Sequence, residues 1–131
     1  MKVLLDANFL MLAGKRGSRI FEELERFGKC ELFTLDVVEM ELERIRDKGG
    51  KKSVMAAIGL EAIKSKGIRV IKTGKDTKDT DSEIVRIAAE RGFLVCTEDR
   101  KLRKELARKG VEVIGLRQGR YLVRMGSMER E

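Results

Sequence analysis

The residue pattern predicts a single α/β domain, a parallel sheet covered by helices on both faces. Three observations carry this reading. Short apolar runs alternate with amphipathic stretches long enough to be helices. Glycine closes five of those stretches, at positions 28, 49, 67, 92 and 110. The 131 residues contain no linker, repeat or low-complexity segment, and this length suits one domain.

Taken in order, residues 2–5 read as a buried strand ending at Asp6. Residues 9–13 read as a short helix, 14–17 as a turn, and 20–27 as an amphipathic helix stopped by Gly28. A second strand is expected over 30–34, followed by a long helix over 36–48 that ends at Gly49 and Gly50. A further helix over 54–66 stops at Gly67 and leads to a third strand over 68–71. Residues 80–91 form the next helix, with Thr80 and Glu83 at capping-box spacing. The fourth strand falls at 93–96, the last long helix at 98–109, and the fifth strand at 111–114. Residues 1–124 make the domain, and 125–131 read as a tail.

Composition narrows the chemistry. The chain is 42% apolar and 39% charged, against about 25% charged for an average globular protein. Compact apolar blocks exclude a disordered chain, and no run approaches the ~20 apolar residues of a membrane span. The first fifteen residues resemble a signal peptide, but Asp6 and Asn8 interrupt its apolar centre. A soluble, cytoplasmic protein is expected. The chain has no His, which excludes imidazole bases, Ser-His-Asp triads and His-containing metal sites. It has no Trp and one Tyr, too few for a base-stacking platform. Cys30 and Cys96 border apolar runs and lack metal-ligand spacing, so both read as buried free thiols of a reducing compartment. Asn8 and Gln118 are the only side-chain amides among abundant Lys, Arg and Glu, a thermophile's pattern. The absence of Pro weighs the other way.

The net charge of +7 is unevenly spread. Residues 100–131 carry ten Lys/Arg against four Glu, while residues 1–99 are nearly neutral. A basic last quarter points to a polyanion partner. The alternative for Arg100, Lys101, Arg103, Lys104, Arg108 and Lys109 is a solvated helix face.

Four acids stand out. In open parallel sheets, ligands bind at the carboxyl ends of the strands. Asp6 directly follows the first strand, with Asn8 two positions on, and Asp99 follows the fourth in Cys96-Thr97-Glu98-Asp99. Helix-dipole stabilisation with Thr97 as N-cap is the ordinary alternative for Asp99. At ~100° per residue, Val37, Val38, Leu42 and Ile45 span roughly 140°, and Glu41 projects within that arc. A carboxylate on an apolar face is costly unless paired or bound to a metal. Asp81 falls in the first turn of the helix that follows, with Asp79 as its competitor. Four carboxylates, an amide and hydroxyls describe an all-oxygen site suited to Mg²⁺ or Mn²⁺. Beside a basic surface, such a site fits phosphodiester hydrolysis.

At these residues the chain resembles a PIN-domain nuclease over nearly its full length. The resemblance rests on Val3-Leu4-Leu5-Asp6-Ala7-Asn8-Phe9-Leu10 and on the stretch from Val37 to Ile45. It continues in Thr80-Asp81-Ser82-Glu83-Ile84-Val85 and in Val95-Cys96-Thr97-Glu98-Asp99-Arg100-Lys101-Leu102. Each motif alone is weak; four in order are specific. The resemblance places the family's metal-binding and catalytic acids on Asp6, Glu41, Asp81 and Asp99, its small polar residue on Asn8 and its hydroxyl on Thr97. Position 98, commonly Asn in the family, is Glu98 here, which either adds a ligand or weakens the pocket. It also implies a sheet of order 3-2-1-4-5 and a homodimer. Two branches fit: VapC toxins, which cut tRNA or rRNA and pair with a small antitoxin, and the ribosomal-RNA-processing branch, whose partners would be ribosome-assembly factors.

The expected activity is that of a metal-dependent endoribonuclease on single-stranded or looped RNA. Arg100, Lys101, Arg103, Lys104, Arg117, Arg120 and Arg124 are the candidates for binding phosphates. A PIN-like module that binds RNA or protein without cutting is the competing class.

Overall fold

The computed structural model describes residues 1–74 and 79–125. Among them lie six strands in one sheet, ordered β3-β2-β1-β4-β5-β6. The strands are β1 (Lys2–Leu5), β2 (Glu31–Leu35), β3 (Arg69–Ile71), β4 (Leu94–Cys96), β5 (Val113–Arg117) and β6 (Tyr121–Met125). All neighbours run parallel except β6, which returns antiparallel to β5. The helices are α1 (Ala7–Arg16), α2 (Arg19–Leu24), α3 (Asp36–Lys48), α4 (Lys51–Ser65), α5 (Thr80–Arg91) and α6 (Arg100–Arg108).

β1 is central because it is apolar on both sides. Val3, Leu4 and Leu5 are fully buried, as a parallel strand under two helical layers requires. Val3 pairs with Leu32 on one side and Leu94 on the other. Right-handed crossovers put α1–α4 on one face and α5 and α6 on the other. The packing of α1 and α3 on α4, and of α5 on α6, follows that division. The chain reverses its direction of travel across the sheet between β1 and β4, where the carboxyl ends of the two strands open a crevice.

Several boundaries depart from expectation. The turn expected at 14–17 is the last part of α1, and only Gly17 ends the helix. Gly14 is there for close approach, since a Cβ on it would stand 2.7 Å from Met55 Cα. The helix expected over 20–27 divides into α2 and a 3-10 turn over Glu25–Phe27. Asp79, not Thr80, caps α5: its Oδ1 accepts from Ser82 N at 3.2 Å. Thr80 is buried, and Glu83 is bonded to Arg86 at 2.7 Å. Among the described residues the sheet has one strand more than the five expected. Gln118 and Gly119, both at positive φ, turn β5 into β6. The glycines at 28, 49, 67, 92 and 110 all have positive φ, as stops should.

Candidate functional site

The carboxyl ends of β1 and β4 bring Asp6 and Asp99 to the same crevice. Asp6 is 4% exposed. Its Oδ1 caps α1, accepting from Phe9 N at 2.7 Å, and the Thr97 hydroxyl also bonds its carboxyl group. Burial outweighs these bonds and, helped by the charges of Asp81 and Asp99, pushes Asp6 up to about 7. The strand position behind it is fixed by Thr34, fully buried on β2, whose hydroxyl donates to Leu5 O at 2.8 Å.

Thr97 is completely buried one residue beyond β4. Its N–H donates to Ile114 O at 3.1 Å, extending the parallel ladder. Its Oγ1 accepts from Asp99 N, also at 3.1 Å, so one hydroxyl touches both the Asp6 carboxyl and the Asp99 backbone. Asp99 in turn caps α6, its Oδ1 accepting from Leu102 N at 3.0 Å.

Glu41 lies half-buried on α3, on the face shared with the buried Val37, Val38 and Leu42. Burial and the charge of Asp81 raise its pKa, while Arg44 opposes the shift. Asp81, in the first turn of α5, is the hub of the group. Partial burial and the charges of Asp99, Glu105 and Asp79 raise it, and Lys101 lowers it. Asp79 behaves differently. Its carboxylate is spent on Ser82 N and, at 2.6 Å, on Ser82 Oγ, which hold its pKa low.

The four acids named from the sequence therefore feel one another: Asp6 with Asp81 and Asp99, Asp81 with Asp99, and Glu41 with Asp81. They come from four separate parts of the chain. Among the described residues, no three acids lie close enough together to form a ready-made cation site. Asn8 is exposed in the first turn of α1, two residues from Asp6. Sequence reasoning passed over two neighbours of the group, Glu105 and Thr34. Glu105 was hidden as an ordinary polar position of an amphipathic helix, and Thr34 as one more residue of an apolar strand.

The seven candidate RNA-binding cations divide. Arg100, Lys101 and Lys104 are exposed on α6, and Arg117 and Arg120 are exposed at the β5–β6 turn. Arg103 is half-buried, with its guanidinium 3.9 Å from Met125 Sδ. Arg124 bonds to Glu112 at 2.6 Å. The turn is itself anchored to α1: Arg16 donates to Gly119 O at 3.1 Å and to Arg120 O at 2.7 Å.

The chain is similar to known proteins over nearly its whole length. The model of the PIN-like domain family matches residues 3–119. Ribonuclease VapC4 of Methanocaldococcus jannaschii is 29% identical over 126 residues, which cover 92% of this chain and 93% of that protein. Among solved structures, the PIN domain endonuclease Utp24 superposes with a TM-score of 0.79 at 20% identity, covering 98% of this chain and 96% of the other. A domain of a functionally unknown protein from Methanocaldococcus jannaschii gives 0.65 at 21% identity, covering 88% and 91%. The last two likenesses show a shared fold.

Proposed function

The chain belongs to the PIN-like domain family, and from that premise we propose that it is a metal-dependent endoribonuclease acting on unpaired or looped RNA. One observation carries the reading. Four carboxylates from distant parts of the chain are linked through one another's charge around the crevice between β1 and β4, and three of them are raised by burial and by their neighbours' charge. A scaffold gains nothing from acids placed so that each disfavours another's charge. The ribonuclease and the endonuclease to which the chain is similar support the same activity.

The donor set is all oxygen, which fits a hard divalent cation such as Mg²⁺ or Mn²⁺. Asp6, Glu41, Asp81 and Asp99 would hold it. When bound, such an ion would acidify a water for attack and would offset charge developing on the phosphate. The chain's own residues do the rest. Asn8 stands at the rim to orient a water or the phosphate, and the Thr97 hydroxyl fixes Asp6 relative to Asp99. One of the acids takes the proton of the attacking water. Arg100, Lys101, Lys104, Arg117 and Arg120 hold the phosphates of a tRNA or rRNA strand.

The test is cleavage of a labelled structured RNA in Mn²⁺, Mg²⁺ or EDTA by the native protein and by Asp99→Asn. Asn keeps the α6 cap, so the variant folds. Metal-dependent cutting lost in EDTA and reduced at least a hundredfold in the variant is expected. Retained RNA binding with no cutting by either protein would favour a non-catalytic module.

A further inference from the structure

Glu98 stands between Thr97 and Asp99, inside the sequence that builds the site, yet its carboxylate is used elsewhere. The charges that raise Asp6 are those of Asp81 and Asp99, and those that raise Asp81 are Asp99, Glu105 and Asp79. Glu98 Oε2 accepts from Leu116 N at 2.6 Å.

That bond sits where the sheet would otherwise come apart. Thr97 N donates to Ile114 O, and in a regular parallel ladder the next bond runs from Leu116 N to the carbonyl of Thr97. The chain leaves the sheet here to enter α6, and the Glu98 carboxylate takes the place of that carbonyl. Gly115 makes the room: a Cβ there would lie 3.0 Å from Thr97 O and 3.3 Å from Glu98 Oε2. Two residues beyond Gly115, the chain turns through the segment carrying Arg117 and Arg120, which Arg16 holds from the other side.

We infer that Glu98 is a positioning residue whose carboxylate prolongs the β4–β5 ladder by one side-chain bond, locking the Asp99 turn to the hairpin that presents Arg117 and Arg120. The inference deepens the nuclease reading and rests on it for its catalytic consequence. The bond itself does not. Losing the acceptor lets the Asp99 carboxylate and the two arginines drift relative to one another, so the chemical step suffers more than substrate capture.

The experiment compares native protein, Glu98→Gln and Glu98→Ala by amide hydrogen exchange at Leu116, by Mn²⁺ titration and by RNA cleavage. Gln keeps an acceptor oxygen; Ala does not. Exchange at Leu116 should quicken about tenfold in Glu98→Ala and stay within about twofold of native in Glu98→Gln. Mn²⁺ affinity should change less than about twofold in both, and kcat should fall about tenfold in Glu98→Ala with KM nearly unchanged, recovering in Glu98→Gln. Equal, large losses of Mn²⁺ affinity in both variants would make Glu98 a ligand and overturn the inference. So would unaltered Leu116 exchange in Glu98→Ala. If the native protein does not cut RNA, the nuclease reading fails while the exchange at Leu116 still decides the role of Glu98.

Discussion

Asp6 is an acid kept out of water, and its burial sets a pH dependence opposite to that of a surface carboxylate. Its pKa is about 7 in the folded chain and about 4 in an unfolded one. Between those values the folded state holds a proton that the unfolded state has lost, so stability falls as pH rises from about 4 to about 7. Asp6→Asn keeps the cap on Phe9 N and removes the penalty. Thermal melts of the metal-free variant should show no gain at pH 4 and a gain of about 2–4 kcal/mol at pH 8, while cleavage is lost. Added Mn²⁺ should raise the melting temperature of the native protein more at pH 8 than at pH 5, because protons compete for the same oxygens. The acids differed in how far the sequence revealed them. Glu41 was legible because a carboxylate on an apolar helix face has no ordinary explanation, and the structure shows it half-buried there. Asp79 and Asp81 were not separable by position. What separates them is the Ser82 side chain, which occupies one carboxylate and leaves the other.

Helix α4 packs against α1 and α3, and glycine lets it come close to α1. Gly14 of α1 lies against Met55, and Gly59 of α4 lies against Leu10, with a Cβ there 3.2 Å from Leu10 O. Gly14→Ala should therefore lower the urea midpoint by the equivalent of about 1–3 kcal/mol with an unchanged slope, although alanine is the better helix former by about 1 kcal/mol. A midpoint that rises would mean the two helices separate freely. The same glycine shows where sequence reading stops. Locally it looked like a turn, and only a partner some forty positions later explains it. Strands β1 to β5 and helices α3 and α5 were visible as apolar period and glycine stops. β6 was not, because its exposed Tyr121 and Arg124 dilute a short edge strand that buries only Leu122. The signal that would have found it is Gln118-Gly119 between two alternating runs.

Charge belongs to the molecule as a whole. No helix among the described residues is long and apolar enough to cross a membrane, and the basic excess lies beyond residue 100. If Lys101 and Lys104 each meet a phosphate, RNA binding should weaken linearly on a log–log plot against salt, and each Lys→Ala change should flatten the slope by about one. A slope unaffected by either change would remove α6 from the RNA surface. The sheet order carries one more consequence. β1 precedes β4 by most of the domain, yet one of its two edges is satisfied only by β4, through pairs such as Leu5 with Cys96. The last of the four acids, Asp99, follows β4. A chain in which β4 has not yet joined the sheet carries Asp6 without the strand that brings Asp99 beside it, so the acid group is completed only when the two halves of the sheet come together.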